Sequence, residues 1–446
     1  MRKNSWLILS SFFTGVFWLS SCSFASVKVN PQITAQSANK SLQVPLKENG
    51  LKLLTPQSIV KTKWDLWSSG LTLLRGANIY QRLVVPEVDG FDSLGAGHVG
   101  PPFYQTDFDQ LKESGANYVV LSVPGLFTEK PPFQVDQLVQ QNLDAMIQMA
   151  AQADLFITIA FRTGPGRSEW SMCCKDMLDL KFLFNDQVWT STSDQQGWID
   201  MWKYTAERYK NSPNVVGYEL MVEPDGEDIW LNISDPQDFY PSYKGSLFDW
   251  NVLYPKIVTA IRMVDDKTPI IIGGMGYSSI AWLPYLQPNS DQKIIYDVHQ
   301  YEPMDAYTHQ TPNGKNKYSG TMDINSDGNL ELVDQTWLRT KLNVIKDFVN
   351  ANHAPVSINE FGIKRWVPGA EAFIKDEMTI FEENGWNYSM WEWSTSNSPF
   401  AREINDFNFR LGTDPRNTTE EVANALWNTI KYFWQRNLVR PSTIQW

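Results

Sequence analysis

Eight short apolar runs, most of them rich in β-branched residues, punctuate this chain at intervals wide enough to hold a helix between neighbours. They are LTLLRGANIY (71–80), NYVVLSV (117–123), LFITIAF (155–161), VVGYELM (215–221), PIIIGGM (269–275), KIIYDVH (293–299), APVSINEF (354–361) and WNYSMWEW (386–393). Between them lie stretches with helical periodicity, such as TDFDQLKESG (106–115), VQQNLDAMIQMAAQA (139–153) and DQQGWIDMWKYTAERYK (194–210). Near-continuous apolar strands need cover on both faces, and a parallel sheet wrapped in helices provides it. Eight such units predict an α/β fold, a single (β/α)8 barrel, whose functional groups gather at the carboxyl ends of the strands.

The alternation starts at about residue 60, and the residues before it have a different character. MRKN carries positive charge, and SWLILSSFFTGVFWLSS is an apolar run ending at Cys22. The run is too short to read as a membrane span and reads as a targeting segment. Leu19-Ser20-Ser21-Cys22 resembles a bacterial lipobox, which makes 1–22 a signal peptide and Cys22 a lipidation site. Cleavage after Ala25 by ordinary signal peptidase is the rival reading. Either way the protein is expected to be exported to the bacterial cell envelope, touching membrane through the lipid anchor alone. The polar stretch 23–58 then serves as a tether, and 59–446 as one domain.

Charge and cysteine content narrow the function. A net charge of -12 argues against nucleic acid or an anionic membrane surface as partner, since both need a basic face. Besides Cys22 the chain has the adjacent pair Cys173 and Cys174, which cannot make a disulfide framework. Its four histidines (His98, His299, His309, His353) show no ligand spacing, so no metal cofactor is expected for the chemistry. Nineteen tryptophans are enough to furnish a core and still leave flat indole faces for stacking on sugar rings.

Two of the eight runs lead straight into a glutamate: VVGYELMVEP into Glu223 and VSINEF into Glu360. A lone strand-end glutamate usually serves a salt bridge or a helix cap. Two, from the fourth and seventh strands of one barrel, face a single cleft. Such a pair is the apparatus of glycoside hydrolysis, one carboxyl donating a proton and the other attacking carbon or activating water.

Several motifs, taken in order, carry a resemblance. LRGANIY, VVGYELMVEP, YDVHQYEP with a downstream THQ, VSINEFG and GWNYSMWEWS stand where glycoside hydrolase family 5 has its first, fourth, sixth, seventh and eighth strand motifs. The chain resembles the cellulase-type members of that retaining (β/α)8 clan over roughly residues 60–435. The resemblance implies Glu223 as acid/base and Glu360 as nucleophile, with His299 and Tyr301 orienting substrate and carboxylates. It implies Trp391 as the platform beneath the sugar, with Trp393 as the competing assignment. A retaining enzyme needs its carboxylates ~5–5.5 Å apart and a raised pKa on the acid.

Departures from the family pattern are as informative. Val222 stands where the family has an Asn before the acid/base, Val120 where it has an Arg on the second strand, and Arg162 where the third strand ends in His. The long stem of Arg162 suggests that its guanidinium replaces the missing Arg and holds Glu360 ionised. The expected function is therefore a retaining β-glycosidase acting on a β-linked poly- or oligosaccharide of glucan or mannan type. The alternatives are a carbohydrate-binding pseudoenzyme and a transglycosylase. A monomer whose partner is its carbohydrate substrate is expected.

One motif lies apart from the cleft. DINSDGNLELVD places Asp323, Asn325, Asp327 and Asp334 at ligand positions of a calcium loop, with Gly328 at its sharp turn. The competing reading is ordinary Asn-Ser-Asp-Gly turn chemistry in a barrel loop. A bound Ca2+ would be structural.

Overall fold

The computed structural model describes residues 60–444, apart from Leu71, 90–94, Ala96, 173–174, 176–178 and 395–401. Cys22, the leader and tether, and the pair Cys173–Cys174 lie outside the described residues. Each of the eight apolar runs contains a strand: β1 Arg75–Tyr80, β2 Tyr118–Val123, β3 Phe156–Phe161, β4 Val215–Glu219, β5 Ile270–Gly273, β6 Ile294–Gln300, β7 Val356–Phe361 and β8 Asn387–Met390. They pair in parallel around a closed barrel, with β1 bonded to both β2 and β8. The chain is a (β/α)8 barrel.

Alternation along each strand sorts side chains between two layers. Tyr118, Val120, Phe156, Ala160, Val216, Ile271 and Ile295 point into the barrel. Their neighbours Val119, Leu121, Ile157, Ile159, Ile270 and Ile272 point out against the helices. Full burial of such a side chain contributes about 1.5–3 kcal/mol, which is why runs lacking polar interruptions fold this way. Trp67, from the segment preceding β1, packs into the inner layer and donates its indole N–H to the Val216 carbonyl at 3.0 Å.

The principal helices are α1 Gln105–Glu113, α2 Gln137–Gln152, α3 Thr192–Tyr209, α4 Trp250–Arg262, α5 Gln335–Asn352, α6 Ala370–Asn384 and α7 Ala425–Trp434. Asp136, Ser191, Asp249, Asp334 and Asn424 cap five of them, each accepting from backbone N–H groups that the first turn leaves unpaired. Between β5 and β6 a single 3-10 turn, Leu283–Tyr285, replaces the helix of the ideal repeat.

Candidate active site

The mouth of the barrel is built on a register. Glu360 on β7 stands beside His299 on β6, after a local irregularity between Ser357 and Glu360. Two residues beyond His299, the Tyr301 hydroxyl donates to Glu360 Oε1 at 2.8 Å. Glu223 lies four residues past the end of β4, although Val222 N–H still bonds to the Phe161 carbonyl on β3. Its backbone is left-handed, with φ of 53°. That conformation costs a non-glycine residue on the order of 1–3 kcal/mol, so the surroundings must enforce it.

His299 joins the two carboxylates. Its Nδ1 is 2.8 Å from Glu223 Oε1 and 3.7 Å from Glu360 Oε2, while its Nε2 is 3.2 Å from Asp297 Oδ2. Oxygens of Glu223 and Glu360 lie within 4.8 Å of each other. With carboxylates against both nitrogens, the ring is best satisfied as an imidazolium, which donates from each. Burial opposes that charge, but Glu360, Asp297 and Glu223 outweigh it and hold the His299 pKa well above its usual value.

The carboxylates diverge. Burial pushes Glu223 up, but the hydrogen bond and charge of His299, with Arg162 and Arg167 nearby, bring it below the ordinary value. Burial and the charge of Glu223 push Glu360 up to about 7, against the pull of His299, Arg162 and Tyr301. The raised pKa expected of the acid, from burial or from the charge of Glu360, is not found for Glu223 in the resting site, where the His299 contact favours the carboxylate.

The matching family is described as cellulase, glycosyl hydrolase family 5, and its model covers residues 88–397. The chain belongs to glycosyl hydrolase family 5. Endoglucanase C of Acetivibrio thermocellus is 26% identical over 252 residues, which are 48% of this chain and 66% of that protein. The chain thus spans just under two thirds of that relative. An endoglycoceramidase of Cyanea nozakii is 34% identical over 113 residues, 24% of this chain and 21% of that protein. The crystal structure of endoglucanase Cel5A from Thermotoga maritima superposes with a TM-score of 0.57 at 20% identity, covering 83% of this chain and 99% of that one.

The three family positions that differ have definite fates. Val120 and Val222 are both packed into the apolar interior of the barrel. Arg162 does not bond to Glu360 as expected. Its Nε lies 3.0 and 3.2 Å from the two Glu169 oxygens, and its Nη1 lies 3.4 Å from Ser122 Oγ. The guanidinium sits over the rings of Tyr80 and Trp391, 5.0 and 5.7 Å from their centroids. Glu169 captures it because it is a closer carboxylate on the same loop, and Tyr80 donates to that carboxylate at 3.0 Å. The influence of Arg162 on Glu360 is that of a nearby charge alone.

The two candidate platforms are both buried and separate by their neighbours. Trp391 follows β8 at the mouth and packs against Tyr80, with 7% of its surface exposed. Trp393 is 1% exposed, donates to the Asp107 carbonyl at 3.1 Å, and lies among Phe409, Trp427 and Trp434 with Arg410 over its face. It is a core residue, although its own backbone N–H still bonds to the Asn78 carbonyl on β1 at 2.8 Å.

The residues of the calcium expectation make hydrogen bonds within their own loop. Asp323 accepts from the backbone N–H groups of Asp327 and Gly328, at 3.1 and 2.9 Å. Asn325 donates to Asp327 at 3.2 Å, and Asp334 caps α5 through Trp337 N–H. The segment is the turn of a small hairpin, Gly320–Met322 against Glu331–Val333. Among the described residues, the close groups of three or more acidic, His or Cys side chains are the two built on His299.

Sequence reasoning missed the buried polar layer beneath Glu223 and Glu360. Asn359 donates to Glu219 at 2.7 Å, and Asp297 accepts from Asn359 N–H at 2.9 Å. Burial, with Asp297 adjacent, pushes Glu219 up to about 8. A signal was available: Asp297 stands two residues before His299, and Glu219 four before Glu223, at same-face spacing in otherwise apolar strands.

Proposed function

We propose that this chain is a retaining β-glycosidase that hydrolyses a β-linked glucan- or mannan-type chain by double displacement. The observation that carries the reading is the approach of Glu223 and Glu360 to within 4.8 Å, bridged by His299. Oxygens this near suit the ~5–5.5 Å carboxyl separation of retaining enzymes better than the ~6.5–9.5 Å that leaves room for an inverting water. Glu360 attacks the anomeric carbon as the bond to the leaving oxygen breaks, and Glu223 gives that oxygen its proton. Glu223 then takes a proton from water, whose oxygen displaces Glu360 and releases the sugar. The productive form has Glu360 ionised beside the Tyr301 hydroxyl and Glu223 carrying a proton, which His299 Nδ1 is placed to hand across 2.8 Å.

The endoglucanase relatives support a glucan, and the endoglycoceramidase relative gives reason to test a glycolipid beside it. The valines at 120 and 222 favour one second reading, a binding protein with a weakened hydrolase site. The deciding experiment uses residues 27–446, a covalent probe for retaining β-glucosidic enzymes, and a panel of β-glucans, β-mannans and a glucosyl ceramide, with and without a sugar acceptor. Glu360→Gln runs in parallel. Labelling and turnover that vanish in the mutant support the hydrolase, and products elongated on the acceptor indicate transglycosylation. Glycan binding without turnover in either form means the pseudoenzyme. Export and lipidation at Cys22 belong to the same proposal. Labelled palmitate entering the full-length protein but not Cys22→Ala supports them, and equal labelling of both refutes them.

A further inference from the structure

The motif GPGRSEW has no part in the mechanism so far, yet it delivers a buried cation to the backbone of the acid/base. Gly164 and Arg167 exchange both backbone hydrogen bonds, at 3.0 and 2.9 Å, and Gly166 between them has φ of 73°. A Cβ at Gly166 would lie 2.6 Å from Asp194 Oδ2 and 2.8 Å from Val188 N, so the turn requires glycine. Arg167 leaves this turn fully buried, with 0% of its surface exposed. Its Nη1 donates to the Val222 carbonyl at 2.8 Å and its Nη2 to the Glu223 carbonyl at 2.7 Å. Nη2 also lies 3.3 Å from Asp225 Oδ1, just past Pro224.

Two carboxyls, Asp186 and Asp225, crowd this guanidinium. Burial, with the charge of Asp225 beside it, holds Asp186 well above the ordinary range. Asp225, raised by burial to about 6 against the pull of Arg167, is thus its counter-charge at neutral pH. Removing one member of a buried pair leaves the other uncompensated, so the cluster is stable only complete. Its three contacts span 222, 223 and 225, which is the stretch forced through the left-handed residue.

We propose that Arg167 is a positioning residue for general acid catalysis: by gripping the carbonyls of Val222 and Glu223 it holds Glu223 in the left-handed conformation that aims its carboxyl at the leaving oxygen. The proposal rests on the retaining-glycosidase reading. Where the family has a polar side chain before the acid/base, here the buried Val222 offers its carbonyl to Arg167 instead.

Leaving groups separate positioning from a merely structural role. A dinitrophenolate departs without protonation, whereas a sugar alkoxide needs the acid. In Arg167→Met, kcat/KM for an oligosaccharide is expected to fall about a hundredfold, the low end of a general-acid contribution, and that for the 2,4-dinitrophenyl glycoside less than about fivefold. Arg167→Lys, which keeps a charge but cannot fork to two carbonyls, is expected to fall between. Equal losses on both substrates overturn the proposal. If Arg167→Met does not fold, Asp225→Asn decides: a loss confined to the oligosaccharide supports the proposal, and equal rates or equal losses refute it. Wild-type protein inert toward the dinitrophenyl glycosides of glucose, cellobiose and mannose would sink the glycosidase reading itself, and the positioning role with it.

Discussion

Tyr301→Phe tests one contact to Glu360, the proposed nucleophile. The hydroxyl donates to Glu360 Oε1 at 2.8 Å, and the ring packs edge-on against His309 and Phe407 with centroids 5.0 and 6.0 Å away. Phenylalanine keeps those ring contacts and removes the donor alone. A hydrogen bond to a charged acceptor contributes about 1.5–3 kcal/mol, which corresponds to roughly one to two pKa units. The donor favours ionised Glu360, so its loss raises a pKa that burial has already carried to about 7. In the proposed mechanism Glu360 must be ionised to attack. The acid limb of kcat/KM should therefore move to higher pH by one to two units, to judge from that bond. Below the wild-type limb the variant should be about ten- to a hundredfold slower, and the deficit should shrink as pH rises. Steady-state rates on a soluble β-glucan between pH 4 and 10 provide the test. A mutant-to-wild-type ratio that is flat with pH, or a limb displaced toward acid, would refute the reasoning.

Three further outcomes are expected. Trp391→Ala removes the ring that Tyr80 and Arg162 pack against at the mouth, and should raise KM about tenfold with a smaller change in kcat, about the worth of one aromatic contact. Arg365→Met takes a buried guanidinium from the carbonyls of Asn405, Gly412, Asp414 and Asn417, each at 2.6–2.7 Å, and should cost at least about 3 kcal/mol in urea unfolding. Chelation with EDTA followed by millimolar Ca2+ should leave Tm unchanged, because backbone amides already engage Asp323 and a helix cap already engages Asp334; a rise of several degrees with Ca2+ would restore the metal site.

The barrel was legible because each of its strands is buried on both faces, and two-sided burial leaves an apolar run that stands out against polar loops. Helix ends were legible to within a few residues where a capping side chain marks them, as Ser191 does for α3. Glu223 and Glu360 were visible for the opposite reason, as charges at the ends of such runs. What stayed hidden depends on partners distant in sequence or on competition among near neighbours. Arg162 carried no sign that Glu169 would hold it, nor Arg167 that it would reach carbonyls more than fifty residues away. Trp391 and Trp393 share a motif, and only their neighbours in space divide them, Tyr80 for one and Phe409, Trp427 and Trp434 for the other.

The pairing of β1 with β8, Arg75 beside Tyr388, also shapes how the molecule comes into being. β1 meets β2 soon after both are made, but its other edge waits for a partner roughly three hundred residues later, which at about 5–20 residues per second is some fifteen seconds to a minute of synthesis. Until β8 is available β1 has an unpaired strand edge, the feature that invites association with another chain, and the last barrel strand in the sequence removes it.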